Sequence, residues 1–211
     1  RHDRLSKGGL EIVSSEIRFE LDDIGTPIAV YKKTSKDANK LIEEYMLLAN
    51  KSVGCFVGNT KRKTKIPLIY RVHDKPDREK VEQFRVFVSK FGQDFSFKND
   101  RDISLKMNTL FAEMKDDGNF NMIQQMAIKS MAKAIYDTEN IGHYGLGFEY
   151  YAHFTSPIRR YADLIVHRIL QEELTTQKHR YGNDLNDVCN ILLHHCILIF
   201  FSQNFLNYAI F

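Results

Sequence analysis

The residues with the most chemical reach fall in one stretch. It runs Gly142-His-Tyr-Gly-Leu-Gly-Phe148, then Tyr150-Tyr-Ala-His-Phe-Thr-Ser-Pro-Ile-Arg-Arg-Tyr-Ala-Asp163. Thr155 or Ser156 is placed to cap a helix whose first turn holds Pro157, where a missing N–H is harmless. Such a helix N-terminus presents free backbone N–H groups and the positive end of a dipole, which suits an anion. Arg159 and Arg160 add planar, permanently charged donors matched to phosphate oxygens. Arginines in a first turn oppose the dipole, a cost that an anionic ligand offsets. The same residues also read as a plain capped helix. In that reading Arg159 pairs with Asp163 at i,i+4, and Ile158, Tyr161, Ala162, Ile165 and Ile169 form the buried stripe.

The flanking aromatics Tyr144, Phe148, Tyr150, Tyr151 and Phe154 can stack on single-stranded bases, or can simply be core. His143 and His153 read as hydrogen-bonded loop histidines rather than metal ligands. The basic run Lys61-Arg-Lys-Thr-Lys65 is a solvated loop at its simplest, with sequence-independent phosphate attraction as the alternative. A metal-dependent phosphodiesterase needs several carboxylates converging on one point. The acidic pairs Asp22-Asp23 and Asp116-Asp117 stand near glycines in expected turns and read as turn chemistry. His194, His195 and Cys196 are too compressed for a tetrahedral zinc site on one helix. No P-loop, GxGxxG, HExxH or GxSxG motif occurs.

The elements that must position this stretch are legible from periodicity. Residues 16–33 alternate as a β-hairpin (Ile17, Phe19, Leu21, then Ile28 and Val30) around a turn at 22–26. Residues 36–57 switch to helical period, with Leu41, Ile42, Tyr45, Met46, Leu48, Ala49, Val53 and Phe56 as an apolar face and Glu43, Glu44, Asn50 and Lys51 off it. Ile66–Val72 is β-prone and expected to be buried. Asp77 caps a helix carrying Val81, Phe84, Val88 and Phe91, which Gly92 ends. Helices follow at about 102–115 and 121–136. Strands early and helices later make the fold α+β.

Composition sets the outer bounds. The chain has 211 residues, 43% hydrophobic and 27% charged, a globular composition of one domain or a small pair. Net charge is +3, which neither demands nor excludes nucleic acid. Three cysteines without a CxxC pair suit a reducing cytoplasm. After Asp187 no charged side chain occurs, yet His194, His195, Ser202, Gln203, Asn204 and Asn207 interrupt the apolar run, which argues against a membrane span of about 20 residues. The start, Arg1-His-Asp-Arg4, has neither methionine nor signal segment, so a fragment is expected.

The run Tyr151-Ala-His-Phe-Thr-Ser-Pro-Ile-Arg-Arg-Tyr-Ala-Asp-Leu164, with His167-Arg168 after it, resembles the signature of the ribonuclease II/ribonuclease R (RNB-domain) exoribonucleases. Supporting segments fall in order: Lys7-Gly-Gly-Leu10, Leu41–Asn50, Tyr70-Arg-Val-His73, Lys129-Ser-Met131 and Gly142-His-Tyr-Gly-Leu146. Their spacing is nearest to the ribonuclease R branch. The resemblance implies processive 3′→5′ hydrolysis of single-stranded RNA to nucleoside 5′-monophosphates with Mg2+. It assigns Arg159 as the catalytic arginine on the scissile phosphate, stabilising charge on phosphoryl oxygens. It puts Glu43 on the terminal ribose, where accepting from the 2′-OH favours RNA over DNA. Arg160, Ser156, Thr155, His143 and Tyr144 are the further substrate-binding candidates.

Two departures shape the expectation. The family's metal-binding aspartates precede the start of this chain, and Glu11-Ile12 stands where a base-clamping aromatic is expected. Beyond Cys196 the family's charged helix gives way to apolar sequence. Residues 1–190 are therefore expected to be the C-terminal half of an RNB catalytic domain, inactive alone, and 191–211 a divergent tail. The alternative is a non-catalytic RNA-binding module of the same fold. The parent enzyme is expected to be a cytoplasmic monomer without membrane attachment.

Overall fold

The computed structural model describes residues 1–12, 16–33, 35–58, 66–175 and 184–192. The basic run 61–65, the His194-His195-Cys196 group and the tail beyond 192 lie outside the described residues. In chain order the elements are α1 (His2–Ser6), β1 (Glu16–Leu21), β2 (Pro27–Lys33), α2 (Asp37–Val57), β3 (Tyr70–Val72), α3 (Arg78–Ser89), α4 (Asp100–Glu113), α5 (Phe120–Ser130), β4 (Ile135–Asp137) and α6 (Tyr161–Leu174). A short 3-10 turn, Tyr144–Leu146, precedes α6, and residues 184–192 are helical. The strands make two separate antiparallel pairs, β1 with β2 and β3 with β4. The architecture is α+β, as the periodicity implies.

Local chemistry accounts for the boundaries. Asp77 accepts from the Glu79 N–H at 2.9 Å and Asn99 from the Asp102 N–H at 2.9 Å, so α3 and α4 start on side-chain caps. Gly92, at φ +74°, turns the chain just after α3. Asp22 folds the β1–β2 turn by accepting from the Ile24 and Thr26 N–H groups at 3.0 and 2.7 Å. The second acidic pair behaves alike: Asp117 accepts from the Asn119 N–H.

Two cores form. Val81, Phe84 and Val88 of α3 pack with Phe95, Ile103 and Met107 and with Ile123 and Ala127 of α5. Each large apolar side chain withdrawn from water there contributes about 1.5–3 kcal/mol. The second core joins Leu68, Ile69, Tyr70 and Val72 to Tyr136 and to Ile165, Val166 and Ile169 of α6. It is this second core that seats the functional stretch.

Three sequence expectations are corrected, and the expected hairpin is found with its apolar residues uncovered. The helix expected over 121–136 stops at Ser130, Met131 turns extended, and Ile135–Asp137 pairs with β3 instead. Pairing satisfies the backbone of a buried β-branched and aromatic segment better than a helix extending into the core. The hairpin forms, with a register shift at Glu20/Leu21, but its apolar residues face solvent: Ile17, Phe19, Leu21, Ile28 and Val30 are all more than half exposed. In α2 the buried residues are Leu47, Asn50, Gly54 and Val57, whereas Leu41, Ile42, Tyr45, Leu48 and Phe56 are exposed. Asn50, expected on the outer face, is therefore at the centre of the inner one. At the start of α6, Ile158 is fully exposed and Tyr161 half exposed, so the buried stripe is Ala162, Ile165, Val166 and Ile169.

Candidate functional site

The Thr155–Arg160 segment is a pinned loop, not a helix start. Neither Thr155 nor Ser156 caps α6; Arg160 occupies that place in an extended conformation, with no side-chain cap. The Arg160 N–H donates to the Ser156 carbonyl at 3.0 Å, closing a turn that contains Pro157 and Ile158. Proline's fixed φ suits that turn as well as it would a helix, which is why the sequence reads either way.

Three side chains from outside the loop hold its backbone. Asn50 of α2, 3% exposed, accepts from the Phe154 and Thr155 N–H groups at 2.9 and 3.2 Å and donates to the Tyr151 hydroxyl at 3.0 Å. Asp163, fully buried, accepts from the Ser156 N–H at 2.8 Å. His167 donates from Nε2 to the Phe154 carbonyl at 2.8 Å, and its ring stacks on Phe154 at 3.9 Å. Gly54 lets α2 come this close: a Cβ there would meet the Tyr151 and Ala152 backbone nitrogens at 3.2 Å.

This arrangement separates the two arginines. Arg160, not Arg159, is bound to Asp163, at 2.8 Å and i,i+3. The expected Arg159–Asp163 pair does not form, because Arg160 precedes the helix and folds back over its first turn. The Arg159 side chain is exposed and makes no hydrogen bond or ion pair with any described residue, while its N–H donates to the Ser156 carbonyl at 3.3 Å. A cation so placed is available to a ligand.

Arg159 lines a cleft of about 700 Å³ that also takes in Glu43, Asn50, Arg71, Tyr151, Thr155 and Arg160. Glu43 sits on the α2 side, with Arg1 the nearest cation at 3.9 Å; its neighbour Glu44 is held instead by Arg4 at 2.7 Å. That bond, working against burial, leaves the Glu44 carboxyl below its usual range. His153 also lines the cleft, joined through Nδ1 to the Tyr136 hydroxyl at 2.8 Å. Burial first, then the charges of Arg160 and Arg71, hold its imidazole well below the ordinary pKa. It stays neutral at pH 7, so the positive charge here is arginine's.

His143 and Tyr144 are elsewhere. They line a second cleft of about 750 Å³ with Lys7, Lys75, Asp100 and Arg101. His143 is 2% exposed and accepts through Nδ1 from the Leu146 N–H at 3.2 Å. Burial, then His73 and Arg71, push its pKa well down. The Tyr144 hydroxyl donates to the Asp100 carbonyl. Both serve the packing of the 3-10 turn on His73, where a Cβ on Gly145 would fall 2.8 Å from the His73 Nδ1. The structure brings Glu43, Thr155, Arg159 and Arg160 into one cleft, with Ser156 in the loop behind them. It does not bring His143 and Tyr144 to it.

Asn50, Arg71 and His167 are residues that motif reasoning leaves without a role at the site, and Asp163 is expected only as a partner of Arg159. Arg71 carried a signal: a guanidinium inside the apolar run Ile66–Val72 is a charge that must be buried for a reason.

Comparisons with known proteins bear on the family and the fold. The family model described as RNB domain matches residues 1–176. Ribonuclease R of Escherichia coli is 38% identical over 183 residues, covering 85% of this chain and 22% of that protein. The chain thus spans under a quarter of this relative's length. The apo form of Mycoplasma genitalium RNase R superposes with a TM-score of 0.82 at 26% identity, over 96% of this chain and 32% of that one. The same enzyme in complex with ribose-methylated single-stranded RNA gives a TM-score of 0.74 at 28% identity, over 90% and 29%. Yeast Ssd1, described as a pseudonuclease, gives 0.60 at 25% identity, over 72% and 19%.

Proposed function

The chain belongs to the RNB-domain exoribonuclease family, and from that membership we propose that residues 1–190 are the phosphate-handling half of a 3′→5′ exoribonuclease acting processively on single-stranded RNA. The observation that carries the proposal is Arg159: an exposed guanidinium with no partner among the described residues, on a loop fixed by Asn50, Asp163 and His167. A loop backbone fixed before substrate arrives limits the reorganisation needed to bring the Arg159 donor to a phosphoryl oxygen as charge develops there. Arg159 is the catalytic residue in this reading. Glu43 accepts the 2′-OH of a ribose from across the cleft, which distinguishes RNA from DNA. Arg160 and Asp163 hold the loop, and Thr155 and Ser156 offer the cleft a hydroxyl and the loop its N–H anchor.

The family implies a divalent metal ion, taken here to be Mg2+. Among the described residues no group of three or more His, Cys, Asp or Glu side chains converges on a point. The described residues do not fit a metal, and in this reading its ligands come from sequence outside them. This segment's own chemistry is to bind, orient and neutralise phosphate.

A second reading, a non-catalytic RNA-binding module, draws on that same missing carboxylate group and on the likeness to a pseudonuclease. No described helix is long and apolar enough to cross a membrane. The proposed parent enzyme is a cytoplasmic monomer whose partner is single-stranded RNA. Purified residues 1–211 are expected to bind single-stranded RNA with a salt-dependent affinity and to release no nucleotide in Mg2+. Processive 3′→5′ degradation by this chain alone would overturn the division of labour.

A further inference from the structure

Arg71 is a buried cation without a counter-charge. It is 8% exposed, yet no carboxylate among the described residues pairs with it, and its Nε has no hydrogen-bond partner. Its guanidinium lies 4.8 Å from the centroid of the Tyr136 ring. The position is imposed by the sheet: Arg71 sits opposite Tyr136 in the β3–β4 pair, and its N–H donates to the Tyr151 carbonyl at 2.9 Å. Withdrawing a guanidinium from water without an anion is costly, and an aromatic face offsets only part of that. Thr155, lining the same cleft, also has a buried unpartnered atom, Oγ1. Arg160 Nε is a third orphan there, while the unpartnered Oδ2 of Asp163, an acceptor, lies with Arg160.

We propose that Arg71, with the Thr155 hydroxyl, forms a second phosphate position in the Arg159 cleft. It takes the phosphate of an RNA backbone or of a nucleoside 5′-monophosphate. The inference rests on the reading of this cleft as an RNA site. It also assigns the two arginines different tasks. Arg159 is exposed and screened until charge develops, so it serves turnover; Arg71 is buried and little screened, so it serves affinity.

The test uses the 211-residue chain with two probes, a labelled single-stranded oligoribonucleotide titrated across salt concentrations and adenosine 5′-monophosphate followed by thermal shift. Arg71→Gln is expected to weaken RNA binding roughly tenfold. The slope of log affinity against log salt should shrink by about 0.7, the value for one phosphate contact on a single strand. Arg71→Lys keeps the slope and loses part of the affinity. Thr155→Val, a milder change, weakens binding at unchanged slope, and carries the test if Arg71→Gln melts too low to measure. Stabilisation by the monophosphate that vanishes in Arg71→Gln assigns the position to a nucleotide phosphate as well. Loss confined to the RNA arm assigns it to the backbone.

A wild-type salt slope together with wild-type nucleotide stabilisation in Arg71→Gln would overturn the proposal. So would wild-type RNA affinity in Thr155→Val, should that variant alone be measurable. A chain that binds no RNA, yet is stabilised by the monophosphate through Arg71, would keep the phosphate position and sink the RNA reading of the cleft.

Discussion

The two clefts are nearly equal in volume, about 700 and 750 Å³, and both carry basic residues, aromatics and a buried histidine. They differ in what neutralises the cations. In the His143 cleft Asp100 receives Lys75 at 3.4 Å and Arg78 at 2.8 Å, and Lys7 is bound to Asp3 at 2.8 Å; Arg101, which is exposed, has the Ser6 carbonyl at 3.2 Å and no carboxylate among the described residues. In the Arg159 cleft only Arg160 has a carboxylate, while Arg159 and Arg71 have none among the described residues. A count of arginines and lysines therefore says little about phosphate. An uncompensated cation that is also buried, as Arg71 is, distinguishes this cleft from a solvated surface.

That contrast can be attacked from several sides. Asn50→Ala should have the largest effect on the fold, because it leaves the Phe154 and Thr155 N–H groups and the Tyr151 hydroxyl without their partner. At about 1–3 kcal/mol per buried unsatisfied group, a loss on the order of 3 kcal/mol is expected in urea unfolding. A change below about 1 kcal/mol would show that the loop does not depend on α2. In the other cleft, Gly145→Ala forces a Cβ against His73 and should cost about 1–3 kcal/mol. RNA affinity per folded molecule should stay at the wild-type value, and a parallel loss of affinity would mean that the second cleft also binds RNA.

Burial also keeps three histidines neutral, His153 in one cleft and His143 and His73 in the other. All three folded-state pKa values lie below the unfolded value of about 6.5, so the unfolded chain binds more protons in the window beneath it. Stability is complete above that pH and declines as pH falls through it, by up to about 1.4 kcal/mol per pH unit for each group. Melting temperature recorded from pH 8 to 5 should show a plateau and then a fall. His153→Gln should flatten the fall without abolishing it, and a melting temperature that rises on acidification would contradict the assignment. The smallest effect is expected for Lys75→Ala, an exposed residue in a surface pair. It should change stability by less than about 0.5 kcal/mol and RNA affinity by less than about twofold.

The sequence carries the family and the α+β class, and the local pattern Thr-Ser-Pro-Ile-Arg-Arg marks the loop that brings Thr155, Arg159 and Arg160 to one cleft. Its conformation is less legible. Pro157 fits a turn or a helix start equally, and the choice is made by Asn50 and Asp163, which lie 105 positions before and seven positions after the backbone groups they hold. Arg160 and Arg159 exchange the role of partner to Asp163 for the same reason. His143 and Tyr144 stand near the motif in sequence and apart from it in the cleft, since β3 and the 3-10 turn carry them to His73. The hairpin and α2 show the opposite failure. Their periodicities predict the elements correctly, but alternation cannot say what covers an apolar face, and the described residues leave those faces exposed.

The central claim is that Arg159, rather than any cation of the second cleft, acts on the phosphate. The most direct measurement is single-turnover hydrolysis of single-stranded RNA by a complete RNB enzyme carrying this segment, with Arg159→Ala set beside Arg101→Ala. Arg159→Ala should lower the rate about 100-fold or more, the range for loss of one preorganised donor to a developing charge, with RNA affinity changed by less than about threefold. Arg101→Ala should leave both near wild type. An unchanged rate in Arg159→Ala, or an equal loss in Arg101→Ala, would contradict the account.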